Sequence, residues 1–275
     1  MILALMAISK YTVIKPEYQI LYFVDFTKSM AWERDGYLPL KNFLKSYSNI
    51  AYSIFPGSYM VTYVIATSDM YPILFSEVKP YNKVNFIRGS MRYYRCSKFV
   101  DIGDSFATFK ETKDKVYFKG YAVCWHSSEF LNKKFTYSQF VTQFRRGHDF
   151  GSPITKALEE ACYRIGDDSF NRNIIVFYSD MIEEDRGNRI VSLDELANRI
   201  NRVLKECPLS NKNVEVYIVE DVPVSNDRRR YKTAYQRKWI QVLRQNNIKA
   251  RLISSMNLEN KLINLYESLK RKFVK

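Results

Sequence analysis

Gln19-Ile-Leu-Tyr-Phe-Val-Asp25, running straight into Phe26-Thr-Lys-Ser29, is the stretch on which the fold turns. It is continuously apolar and closes on a carboxylate, the pattern of a central strand buried on both faces. Asn173-Ile-Ile-Val-Phe-Tyr-Ser-Asp180 repeats it: a second apolar strand, again ending in aspartate. A carboxylate at the end of an apolar strand is costly unless it is hydrogen-bonded, paired with a cation or bound to a metal.

Outward from these runs, strand and helix patterns alternate. Leu38, Leu40, Phe43, Leu44 and Tyr47 have near-helical spacing ahead of Pro56-Gly57. Tyr59 to Ala66 and Tyr71 to Phe75 flank Thr67-Ser-Asp-Met70 as a hairpin at one edge of the sheet. From Lys79 to His148 the periodicity is lost, and Gly89, Gly103, Gly120 and Gly147 punctuate aromatic and basic residues, as in an insertion.

Order returns at Gly151-Ser-Pro-Ile-Thr-Lys-Ala-Leu158, where Pro153 suits a first helical turn. Ser192-Leu-Asp-Glu195 has the capping-box form, with Leu193, Leu196, Ala197, Ile200, Val203 and Leu204 on one face behind it. Val214 to Val219 is a further β-branched run. Asp227 to Gln245 is helical, with Tyr231, Tyr235, Trp239 and Leu243 at four-residue steps; such an aromatic stripe belongs to a core before it belongs to a base-stacking platform. Arg251 to Ser254 is a last short strand, and Leu258, Leu262, Leu265, Tyr266, Leu269 and Phe273 line a closing helix. Strands alternating with helices predict a mostly parallel sheet covered on both faces. In such sheets ligands bind beyond the carboxyl ends of the strands, where strand order reverses, and Asp25 and Asp180 both emerge at such ends.

Asp25-Phe-Thr-Lys-Ser29, after its apolar strand, resembles the D-x-[ST]-x-S signature of the metal-ion-dependent adhesion site (MIDAS) of von Willebrand factor A (vWA) domains. The family's second element, a threonine at a G-T-x-[IT]-x-x-A-[LI] helix start, aligns with Gly151 to Leu158 and falls on Ser152, with Thr155 in reserve if the register slips. Its third, an aspartate closing the next apolar strand, matches Asp180, with Met181 where glycine is usual. The three stand in family order and span the chain apart from the N-terminal extension and the insertion.

The resemblance implies a three-layer, Rossmann-like α/β vWA fold: a mostly parallel central sheet, helices on both faces, and one antiparallel edge strand. It implies a single domain over 1–275, with its core at about 18–78 and 149–275 and the insertion at 79–148. It implies metal ligation by Asp25, Thr27, Ser29, Ser152 and Asp180, with Mg²⁺ or Mn²⁺ as the ion and an acidic side chain of a partner protein as the ligand. The donors suit a hard ion, since Mg²⁺ takes six oxygens at ~2.0–2.1 Å. With Asp25 and Asp180 as the only formal charges, the ion stays electron-poor and open to a partner's carboxylate. Lys28 lies inside the loop. The opposing reading is a degenerate site in which Asp25 caps the following helix and Ser29 satisfies backbone amides.

Composition narrows the rest. A chain of 275 residues, 46% hydrophobic and 15% aromatic, buries a full α/β core without staples. The formal charge of +14 draws polyanions, acidic proteins or anionic lipid by its field. It gathers at Arg145-Arg146, at Arg228 to Arg230 with Lys232, Arg237 and Lys238, and at Lys270, Arg271, Lys272 and Lys275. No nucleic-acid-reading motif accompanies it, so a solvated face is the first reading and a nucleic-acid-associated protein the alternative.

Cys96, Cys124, Cys162 and Cys207 form no CxxC pair, and buried thiols are expected at the latter two, on a helix face and at a helix end. Met1 to Ile8 is apolar without a basic leader or a cleavage site, which fits either a core strand or a truncated signal, and nothing later reaches transmembrane length. Localisation stays open between the cytoplasm, which these features favour, and export.

No catalytic residue is expected. A haloacid-dehalogenase-like phosphatase needs D-x-D, and Thr27 stands where its general acid belongs. P-loop, G-x-S-x-G and dinucleotide fingerprints are missing, and His126 and His148 sit in no triad context. The Glu183-Glu-Asp185 cluster reads as a solvated loop.

Overall fold

The structure, a computed structural model, describes residues 18–25, 27, 29–32, 34–52, 59–65, 71–77, 99–100, 122–124, 152–167, 170–185, 189–207, 209 and 212–273. Its elements run β1 (Tyr18–Asp25), α1 (Arg34–Tyr52), β2 (Tyr59–Ile65), β3 (Tyr71–Glu77), β4 (Phe99–Val100), β5 (Ala122–Cys124), α2 (Ile154–Asp167) and β6 (Arg172–Tyr178). They continue with β7 (Glu184–Asp185), β8 (Arg189–Ile190), α3 (Leu193–Glu206), β9 (Val214–Val219), α4 (Arg229–Gln245), β10 (Lys249–Ile253) and α5 (Ser255–Phe273).

The main sheet has the order β10-β9-β6-β1-β2-β3-β5-β4. From β10 to β2 every pairing is parallel, and β3 then pairs antiparallel with β2, closing the expected hairpin. The sheet goes past that strand: β5 pairs antiparallel with β3, and β4 with β5. Both short strands come from the 79–148 segment, whose other residues lie outside those described, as do residues 1–8, Phe26, Lys28, Pro56-Gly57, His126, His148 and Gly151.

Alternation along β1 decides the layers, because successive side chains point to opposite faces. Leu21 and Phe23 join the core formed with Ile154, Leu158, Ile200 and Trp239, so α2, α3 and α4 cover one face. Tyr22 points the other way, its ring 6.2 Å from Phe43 and 5.5 Å from Tyr47 of α1, and α1 packs on α5. Every residue of β1 is buried, as its unbroken apolar run requires; Gln19 is satisfied by donating to Asn173 Oδ1 at 2.7 Å. The stripe on α4 is core, with Tyr235, Trp239 and Leu243 buried and Tyr231 packed against them.

Two details depart from the sequence reading. Leu38 is 49% exposed rather than part of the buried face of α1, which runs through Phe43, Tyr47 and Ile50. Glu183 and Glu184 are buried rather than solvated, because β7 and β8 fold them back as a small antiparallel pair against the start of α2. The Glu184 amide donates to Ser152 O at 3.2 Å and the Val191 amide to Glu183 O at 3.0 Å, so the backbone there is tied down.

Candidate metal centre

Between β1 and β6 the chain reverses its direction of growth across the sheet, since β2 and β3 lie to one side and β9 and β10 to the other. The crevice beyond the carboxyl ends of these two strands is where such folds place ligands. Asp25 ends β1, and Asp180 follows β6 by two residues.

All five residues expected at the site converge there. Asp25 Oδ1 accepts from the Thr27 amide at 2.8 Å and from Thr27 Oγ1 at 2.6 Å. The Thr27 and Ser29 hydroxyls are 2.9 Å apart, and Ser152 Oγ donates to Thr27 Oγ1 at 2.9 Å. Asp180 sits close enough to Asp25 to repel it and to the Ser29 hydroxyl to be favoured by it. Asp25, Ser152 and Asp180 are fully buried. Among the described residues the Asp25 carboxylate is therefore held by its own loop and by Ser179, just after β6, and by no amide of α1, which begins only at Arg34.

Two acids buried side by side resist ionisation. Burial raises Asp25, opposed by the hydrogen bonds from Thr27 and Ser179. Burial first, and then repulsion by Asp25, pushes Asp180 up to about 8. Its Oδ1 accepts from the Ile182 amide at 3.0 Å, while Oδ2 is buried without a hydrogen-bond partner among the described residues. An unpartnered buried carboxylate oxygen asks for a proton or a cation. Among the described residues no three of His, Cys, Asp and Glu meet as a metal-binding group, so a cation here depends on the hydroxyls of Thr27, Ser29 and Ser152.

Met181, in the place of the usual glycine, is fully buried with φ of 65°, in the left-handed region that an L-residue enters at a cost of roughly 1–2 kcal/mol. Three bonds hold it there: its amide donates to Ser179 Oγ at 2.9 Å, the next amide to Asp180 Oδ1, and Trp239 Nε1 donates to its carbonyl at 3.1 Å. The turn that aims Asp180 into the crevice is thus fixed by neighbours instead of by a glycine.

Thr155, the reserve candidate, has another task. Its amide and hydroxyl donate to the two carboxylate oxygens of Glu183 at 2.8 and 2.7 Å, at the first turn of α2. Burial drives Glu183 up to about 7 against these bonds and against the Arg199 charge. Sequence reasoning also passed over Ser179, whose hydroxyl donates to Asp25 Oδ2 at 2.8 Å, and Trp32, whose Nε1 donates to Asp25 O at 2.8 Å. Ser179 precedes the motif aspartate, which is the one signal pointing to it; Trp32 carried none.

Strand order, parallel core, antiparallel β3 and the three motif elements at one crevice agree. The fold is that of a von Willebrand factor A domain. Solved structures similar to this vWA fold include the PilB minor pilin of Streptococcus sanguinis, at 12% identity and a TM-score of 0.44, over 94% of this chain and 61% of that one. The pilus adhesin SpaC of Lactobacillus rhamnosus GG is similar at 10% identity and a TM-score of 0.48, over 95% and 31% of the two chains. A von Willebrand factor type A protein of Catenulispora acidiphila follows at 9% and 0.41, over 92% and 42%. At such identities the likeness concerns the fold alone, and this chain spans less than two thirds of each of those proteins. No family model and no curated protein matches the sequence.

The basic helix α4 and its N-cap Arg228 spend several of their charges within the chain. Arg228 Nη2 is 2.6 Å from Glu184 Oε1, Lys238 Nζ is 3.6 Å from Asp194, Lys232 Nζ donates to Val222 O at 3.1 Å, and Arg230 lies over the Tyr231 ring. No helix among the described residues is long and apolar enough to cross a membrane.

Proposed function

We propose that this vWA domain is a non-enzymatic binding module that holds Mg²⁺ or Mn²⁺ with Asp25, Thr27, Ser29, Ser152 and Asp180 and uses it to bind an acidic side chain of a partner protein. The observation that supports this most directly is Asp180 Oδ2, buried and without a hydrogen-bond partner among the described residues, beside a second buried carboxylate and a chain of three hydroxyls. Oxygen donors of this kind suit a hard divalent cation, which would relieve the repulsion between the carboxylates and supply a Lewis-acidic point for a partner's carboxylate. Thr27, Ser29 and Ser152 would contribute neutral oxygens, keeping the ion short of negative charge, while Ser179 and the Thr27 amide hold Asp25 in place.

The surroundings suit an acidic partner. Beside the crevice, linked to it by the bridge between Met30 and Val224 and by the Ser225 amide donating to Ser29 O at 2.9 Å, lies a cavity of about 340 Å³. Arg34, Arg229 and Lys232 line it, against Asp35 and Asp221.

Calorimetric titration with Mg²⁺ and Mn²⁺ of the wild type and of Asp25→Ala, with a melting curve for each, tests the reading. Saturable binding lost in a folded Asp25→Ala protein supports it; a wild type that takes up neither ion refutes it. A glutamate-rich peptide should then bind in Mg²⁺ and be released by chelator.

A further inference from the structure

Cys162 and Cys207 are 45 positions apart in the chain, and the packing of α2 on α3 brings them together. Cys162 is buried on the inner face of α2; Cys207 caps the end of α3 and is half-buried. The Cys162 thiol donates to the Cys207 carbonyl oxygen at 3.9 Å, which puts the two residues in direct contact. Both are free thiols.

The two are chemically unequal. The neighbouring Cys162 thiol pulls Cys207 below an ordinary cysteine, which burial opposes and the Lys212 charge supports. Contact with Cys207 and deeper burial push Cys162 up. A half-buried thiol held below the ordinary cysteine range, beside a deeply buried one held above it, is the arrangement of an attacking and a resolving cysteine.

We propose that Cys207 and Cys162 form a thiol-modification site: Cys207 takes up a low-molecular-weight disulfide, and Cys162 displaces it to leave a disulfide between α2 and the end of α3. In the first step the Cys207 thiolate attacks one sulfur of, for example, oxidised glutathione; its S–S bond breaks, and one glutathione leaves as thiolate and takes a proton from solvent. In the second, Cys162 gives its proton to solvent and attacks the Cys207 sulfur, expelling the other glutathione. Two protein thiols lose two electrons in all, and one glutathione disulfide becomes two thiols.

The test incubates the full chain carrying Cys96→Ser and Cys124→Ser with oxidised glutathione, followed by alkylation and intact-mass and peptide analysis. The expected product is monomeric, lighter by two hydrogens, with the Cys162 and Cys207 peptides joined until dithiothreitol is added. Cys162→Ser in the same background should keep one glutathione on Cys207. A persistent adduct with both cysteines present, two thiols that remain open to alkylation, or disulfide-linked dimers would overturn the proposal. Peptide mapping of the unsubstituted chain reads the same pair should the serine background fail to fold.

Discussion

Ser179 Oγ donates to Asp25 Oδ2 at 2.8 Å, binding the ends of two neighbouring strands whose residues are 154 positions apart in the chain. The same hydroxyl accepts from the Met181 amide, so it serves both the first carboxylate and the turn that carries the second.

Ser179→Ala should destabilise the fold by about 1–3 kcal/mol, the usual cost of leaving buried polar groups without partners. Urea unfolding would show it as a lower midpoint at unchanged slope. Metal affinity should fall as well, because Asp25 loses a donor that orients it.

Ser152 and Thr155 separate cleanly. Ser152→Ala should weaken Mg²⁺ binding by about 10-fold or more. Thr155→Val should leave it unchanged while costing roughly 1–3 kcal/mol of stability through the lost bond to buried Glu183. Calorimetry and melting curves on both variants distinguish them, and the reverse pattern would move the metal site to Thr155.

Glu183 should make stability depend on pH. Its carboxyl titrates at about 7 in the folded chain against 4.5 ordinarily, so the native state binds more protons than the unfolded one between these values. Stability from the protonated form is complete below pH 4.5 and is lost as pH rises through about 7, by up to a few kcal/mol (order of magnitude). Glu183→Gln should flatten that part of the profile, measured by unfolding from pH 4.5 to 8 in chelator.

Asp180 has the same sign over a wider window, from its ordinary 3.8 to about 8. In chelator, Asp180→Asn should therefore match or exceed the wild type in melting temperature at pH 8, since no buried charge is forced on it. Added Mg²⁺ should raise the wild type above pH 7 and leave Asp180→Asn where it was.

Much of this was legible in the chain. The unbroken apolar runs of β1 and β6 can be satisfied only by burial on both faces, which determined a parallel core; the capping box at Ser192 and the four-residue stripe on α4 determined where helices start and which face they bury. The motif spacing placed Asp25, Thr27, Ser29, Ser152 and Asp180 on strand ends and a helix start, which is local information. What tertiary structure decided is whatever depends on partners distant in sequence. Thr155 turns to Glu183 rather than to the crevice because α2 starts against β7; Asp180 Oδ2 is buried without a hydrogen-bond partner among the described residues because the fold sets Asp180 beside Asp25 beyond the strand ends; and Cys162 meets Cys207 because α2 packs on α3. Periodicity records which face of an element is apolar, whereas the desolvation and pairing of a single polar atom are set by the elements folded around it.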